Sequence, residues 1–244
     1  MQLSLPLGDS NLPPVRDRLL GRYGPQRNAK RHNPDDQFIK AMLSSCTYDA
    51  VSNAVFLKLR QHISSWEDLL DIPSHDIEMI VADITRPREK VRDILTSIHE
   101  IKRQRGTFSL SFLGAYPPDA AMTWLQTLDG VGPKIAAATL GFSDLRQPVL
   151  TVDRHVLRLG ICLRLLPKRA TFVRGFHLLT ALVPPDWTAD DLYELHWLMK
   201  MHGQKVCQST RPLCYQCVLA DLCPSYRSNS QQRSRSLENA SQLH

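Results

Sequence analysis

The chain has no run approaching the ~18 consecutive apolar residues that a bilayer-spanning helix needs. Its opening, Met1 to Gly8, has neither the basic start nor the long apolar core of a secretory signal. Both absences lead to the expectation of a soluble, cytoplasmic protein with no membrane partner. Also missing is any apolar–polar alternation of period two long enough for a sheet, which argues for an all-α fold. Cysteine is scarce along most of the chain: Cys46 and Cys162 stand alone, and the other four crowd into seventeen residues near the C-terminus. From Ser225 onward almost nothing is apolar, so residues 227–244 are expected to form a disordered tail.

What is present suffices for a sizeable core. The 244 residues are 43% hydrophobic, enough for one domain or two compact lobes. Lys and Arg number 30 against 24 Asp and Glu, a formal net charge of +6. That bias favours a polyanionic partner, although many basic proteins never touch nucleic acid. After a Pro-, Gly- and Arg-rich opening with one short helical pattern at Val15 to Tyr23, apolar residues recur at helical spacing. They do so in Phe38 to Leu43, Val51 to Leu59, Trp66 to Leu70, Ile77 to Val81, Val91 to Ile101 and Pro118 to Leu128. Turn residues Pro73, Pro87, Gly106 and Pro117 separate them, and further helices are predicted at Pro133 to Gly141, Asp153 to Leu163, Lys168 to Leu182 and Ala189 to His202.

Between two of these patterns runs Leu128-Asp129-Gly130-Val131-Gly132-Pro133-Lys134. Two glycines one residue apart permit a tight turn with outward N–H groups, and Pro133 suits the first turn of the next helix, where its missing N–H costs nothing. The predicted result is an anion site at a helix N-terminus that grips a phosphate without reading the base. An ordinary helix–helix turn is the alternative, because short glycine motifs are weak evidence alone.

Lys134 opens a helix whose next residues are small or apolar, where partial desolvation and the positive helix end both favour the neutral, nucleophilic amine. Phosphate binding or plain exposure would equally explain it. Nineteen residues later, in Val152-Asp153-Arg154-His155-Val156, Asp153 precedes another amphipathic pattern and suits its N-cap. The last cysteines read Cys207-x6-Cys214-x2-Cys217-x5-Cys223, four thiolates suited to zinc or to an iron-sulfur cluster. Only Cys214 and Cys217 have the spacing of a zinc knuckle, which tilts the choice towards iron-sulfur. Arg211 lies inside the first loop and could reach a phosphate, although a lone arginine is usually just solvated.

In this order, the hairpin lysine, the Val-Asp segment and the cysteine spacing resemble the endonuclease III family of helix-hairpin-helix DNA glycosylases. The resemblance runs from about Val15 to Tyr226 and includes Leu43-Ser44-Ser45-Cys46-Thr47-Tyr48-Asp49, His196-Trp197-Leu198 and His202-Gly203. It implies that Lys134 is a Schiff-base lysine, Asp153 a catalytic aspartate, and Cys207, Cys214, Cys217 and Cys223 the ligands of a 4Fe-4S cluster. It further implies a DNA-facing set of Gly130, Val131, Gly132, Lys134, His155, Cys46 and Arg211.

The implied architecture is two helical lobes flanking a DNA-binding cleft. Residues 34–139 would form a six-helix barrel lobe with the hairpin, residues 15–33 and 140–226 the cluster lobe, and residues 1–14 a flexible N-terminus. The implied activity is removal of a damaged base, an oxidised pyrimidine above all, from double-stranded DNA. Cleavage 3′ to the abasic site by β-elimination would follow, in a monomer.

This sequence departs from the family pattern at Cys46, where relatives commonly place a gap-filling glutamine, and at Gln126, where bacterial members often have an acidic residue. Three other readings compete. A monofunctional relative, such as an adenine glycosylase acting on A·G mismatches, would lack the lysine at 134 and carry a further recognition domain, for which an end at His244 leaves no room. A non-catalytic DNA-binding module would use the hairpin alone, and a zinc-stapled scaffold would be colourless.

Overall fold

The structure, a computed structural model, describes residues 12–27 and 30–226. The stretches expected to be flexible (1–11 of the N-terminus) and disordered (227–244) lie outside the described residues. Among these there is no strand, only an isolated bridge between His32 and Ser143, and the chain is all-helical as its periodicity implies. No described helix is long and apolar enough to cross a membrane.

Contacts divide the chain into two units. One holds the described residues 30–151. After α1 (Leu12–Tyr23), which belongs to the other unit, its elements are α2 (Pro34–Leu43), α3 (Asp49–His62), a 3-10 turn (Trp66–Asp71), α4 (Ser74–Ile80), α5 (Pro87–Arg105), a second 3-10 turn (Ser111–Ala115), α6 (Pro118–Leu125) and α7 (Pro133–Phe142). Helix α2 is started by Asn33, whose side chain accepts from the Asp36 N–H at 2.8 Å, with Pro34 at the position where a missing N–H costs nothing. It buries Phe38, Ile39, Ala41, Met42 and Leu43, and its main partner is α7. Helix α7 is buried nearly all round from Ile135 to Gly141, where the one polar side chain, Thr139, donates to the Ile135 carbonyl at 2.9 Å. Helix α5 buries Val91, Ile94, Ile98 and Ile101 at helical spacing and ends at Gly106, whose φ of 82° is the usual glycine stop.

This unit runs to residue 151, further than the boundary expected at 139. Beyond α7 the Gln147 side chain donates to the carbonyls of Leu113 (2.7 Å) and Tyr116 (3.0 Å), fixing the following segment to the same unit. At the other end, the Asp144 N–H donates to the His32 carbonyl at 2.9 Å, so residues 30–33 belong here as well, although the sequence assigned them to the cluster lobe.

The second unit joins α1 (Leu12–Tyr23) to α8 (Arg154–Cys162), α9 (Phe172–Thr180), α10 (Ala189–Lys205) and the cysteine segment. Helix α1 starts at Leu12, inside the stretch expected to be flexible to residue 14: Leu12 is buried, and Pro13 and Pro14 are tolerated in a first turn. Arg16 of α1 reaches Asp191 at 3.0 Å and Glu194 at 2.6 Å on α10. Helix α10 starts with a capping box in which Thr188 and Asp191 satisfy each other's backbone N–H groups.

Candidate active site

Within residues 30–151, α6 stops at Leu125 and the chain turns through Gln126 to Asp129 into the hairpin. Gly130 has φ 73°, and a Cβ there would lie 2.5 Å from the Asp93 carboxylate on α5, so both backbone conformation and space require glycine. Ser97, one turn along α5, donates to the Asp129 carbonyl at 3.5 Å. Gly132 is the extended N-cap of α7 and Pro133 its first residue, so the hairpin passes directly into a helix N-terminus with positive end charge. Gly130 and Gly132 are exposed; Val131 is buried, so any contact it makes with a ligand comes from its backbone.

Lys134 is half-buried, and its Nζ donates to Ser44 Oγ at 3.0 Å. Ser44 opens the segment after α2, where Cys46 is exposed with φ 56°, a strained value for a residue with a side chain. Two anchors hold that strain. Thr85 Oγ1 donates to the Cys46 carbonyl at 2.9 Å, and the buried Lys90 Nζ donates to Leu43 O (2.7 Å), Ser45 O (2.6 Å) and Thr47 Oγ1 (2.9 Å). Burial, joined by the charges of Lys134 and Arg86 and opposed by Cys46, pushes the Lys90 amine down to about 8. Lys90 was not singled out from the sequence. A signal for it exists, since Lys90 lies one turn before Ile94 on the apolar stripe of α5, where a charged residue needs a buried partner.

Asp153 belongs to the other unit and is the N-cap of α8, its Oδ1 accepting from the N–H groups of His155 (2.8 Å) and Val156 (2.9 Å). Burial acts to raise its carboxyl, but His196, the Val156 N–H, Lys200 and His155 outweigh that and hold it below the usual carboxylate range. It is therefore ionised at neutral pH, and the cap occupies one oxygen while Oδ2 takes no part in it. His155 lies between two arginines, Arg154 Nε at 3.3 Å from its Nε2 and Arg158 Nη2 at 3.2 Å from its Nδ1. Burial and these cations lower it against the pull of Asp153, so the ring is neutral at pH 7. Gly203 of α10 makes room for this arrangement: a Cβ there would lie 2.8 Å from His155 Cβ, and its carbonyl accepts from Arg158 at 2.8 Å.

Cys207 follows α10, Cys214 opens a 3-10 turn (Cys214–Gln216), and Cys217 and Cys223 flank another (Ala220–Leu222). Cys217 Sγ is 3.2 Å from His202 Nε2, and Cys223 Sγ donates to the Cys162 carbonyl at 3.4 Å. The Cys162 and Cys207 thiols hydrogen-bond one another, which favours ionising one while the other keeps its proton. Burial raises Cys217 and Cys223, and each is raised further by neighbouring thiols. Among the described residues, no three His, Cys, Asp or Glu side chains close into a group that could hold a metal ion. Arg211 is exposed in the loop between Cys207 and Cys214.

No protein-family model matches the chain. It is 31% identical over 193 residues to endonuclease III of Synechocystis, covering 79% of this chain and 81% of that protein. It is 29% identical over 188 residues to endonuclease III-like protein 1 of Gallus gallus, of whose length the chain spans 62%. A solved trapped endonuclease III–DNA covalent intermediate superimposes with a TM-score of 0.76 at 21% identity, covering 92% of this chain and 99% of that one. A thermostable thymine-DNA glycosylase does so at 0.70 and 16% identity, covering 89% and 97%. With a relative above 30% identity matched over most of both chains, and a fold shared with two such structures, the chain belongs to the endonuclease III family of helix-hairpin-helix DNA glycosylases.

Proposed function

We propose that this protein is a base-excision repair glycosylase that removes oxidised pyrimidines from double-stranded DNA and then nicks the strand at the abasic site. The observation that carries the reading is Lys134: an amine at the opening of α7, directly after the glycine hairpin and held at 3.0 Å by Ser44. The hairpin N–H groups and the helix end would take a backbone phosphate of DNA, with Cys46, His155 and Arg211 as further contacts. A damaged nucleotide is flipped out at least cost when its pairing is already weak. Lys134, as the free amine, attacks C1′; the N-glycosidic bond breaks and the base leaves with a proton. Asp153, ionised, stabilises the positive charge developing on the sugar. The resulting imine acidifies the C2′ hydrogen, and its loss expels the 3′ phosphate, cleaving the strand on that side.

A 4Fe-4S cluster on Cys207, Cys214, Cys217 and Cys223 is part of the proposal. The donor chemistry suits it: four soft thiols lie in one short segment, and burial with neighbouring thiols raises Cys207, Cys217 and Cys223, a condition that a bound cation relieves. When bound, the cluster supplies a covalent staple for a segment with little core of its own.

Borohydride trapping on duplexes carrying an abasic site or an oxidised pyrimidine tests the activity. The wild type should give an adduct on both, and Lys134→Ala on neither. Nicking by Lys134→Ala at the normal rate would refute the assignment.

A further inference from the structure

Lys90 is used by nothing in the mechanism above, yet it is a lysine buried to 7% exposure among mostly apolar core residues. Leaving an ammonium there is costly unless it is fully bonded, and this one is: it donates to Leu43 O, Ser45 O and Thr47 Oγ1, all within 2.9 Å. The three acceptors bracket Ser44, whose hydroxyl accepts the bond from Lys134 Nζ at 3.0 Å. Thus α5 fixes the segment that fixes the amine. The charged and titratable groups that face Lys90 are Cys46 from the segment after α2, Lys134 from α7 and Arg86 at the N-cap of α5.

We propose that Lys90 is a positioning residue for Lys134: its ammonium ties down the Leu43–Thr47 segment that orients the amine and sets a second positive charge beside it. The inference rests on Lys134 being the nucleophile. Two ammonium groups close together disfavour each other's charge, so Lys90 raises the fraction of Lys134 present as free amine at neutral pH. The same interaction seen from the other side contributes to the lowering of Lys90. The three backbone and hydroxyl acceptors work against the burial that lowers Lys90 and so keep a positive charge beside Lys134.

The test is single-turnover borohydride trapping on an abasic duplex from about pH 6 to 10, using wild type, Lys90→Met, Lys90→Arg, Thr47→Val and Lys134→Ala, with circular dichroism to confirm folding. Lys90→Met should move the midpoint of adduct formation upward by up to about one unit, slowing trapping up to about tenfold below the midpoint. Lys90→Arg, which keeps the charge, should hold the midpoint near that of wild type even where the amplitude falls. Thr47→Val keeps the lysine and removes one acceptor, so it should shift the midpoint in the same direction by less. That milder variant decides the matter if Lys90→Met does not fold. Lower amplitude at every pH with an unmoved midpoint in both would reduce Lys90 to a structural strut and overturn the proposal. An adduct that survives Lys134→Ala would instead overturn the functional reading, and this proposal with it.

Discussion

At the scale of single residues, Asp153 shows how one side chain serves structure and chemistry together. The sequence marks it as an N-cap, and its Oδ1 accepts two N–H bonds in that role. Its folded value lies below the ordinary one because His196, the Val156 N–H, Lys200 and His155 outweigh the burial that would raise it. The stabilisation from its ionised form is therefore complete above the unfolded value of about 3.9 and is lost as pH falls through the lower folded value. Asparagine caps as well as aspartate but carries no charge. Asp153→Asn should cost under about 1 kcal/mol at pH 7 by denaturant unfolding, while trapping falls by about a hundredfold or more. If the two losses were alike in size, capping would be the whole role of Asp153. Lys134 was equally legible in the sequence, whereas Lys90 was not, because its significance lies in what it touches: two carbonyls and a hydroxyl 43 to 47 residues away.

At the scale of elements, helical periodicity located every α-helix of the described chain, and local chemistry decided where each stopped. The pattern from Lys168 to Leu182 forms a helix only over Phe172–Thr180, because the Ala170 N–H bonds the Pro167 carbonyl in a turn and Thr171 then caps. The pattern from Trp66 to Leu70 is a 3-10 turn, started by the reciprocal bonds of Ser65 and Asp68. Pro118 to Leu128 gives a helix only to Leu125, since the last residues turn into the hairpin. The hairpin itself depends on α5, a partner that no short motif reveals. Gly130→Ala should lose about 1–2 kcal/mol from its positive φ, besides the clash of its Cβ with Asp93. Thermal unfolding of Gly130→Ala beside the double variant Gly130→Ala/Asp93→Ala separates the two. Removing Asp93 should restore only the clash part, and full recovery would show that the backbone conformation was never strained.

At the scale of the whole molecule, contacts distant in sequence decide what periodicity cannot. Arg16 pairs with Asp191 and Glu194, 175 and 178 residues away, and that pairing joins α1 to α10. Similarly, nothing in the cysteine spacing shows that Cys162 of α8 hydrogen-bonds Cys207. The segment after α10 shows what a metal would contribute. Between Cys207 and Cys223 it has only two 3-10 turns and one buried apolar side chain, Leu219, too little burial to offset the entropy of ordering seventeen residues. On the proposed reading, the cluster makes up the difference. Purified protein should therefore be brown and contain iron, and Cys214→Ala should lose both the colour and the iron. Limited proteolysis should then cut that variant within 207–223 while α10, with Leu195, Leu198 and Met199 fully buried, stays protected. A colourless wild type holding stoichiometric zinc would assign the same four thiolates to a different metal. A Cys214→Ala variant as resistant as wild type would mean that the segment is ordered by its backbone turns alone.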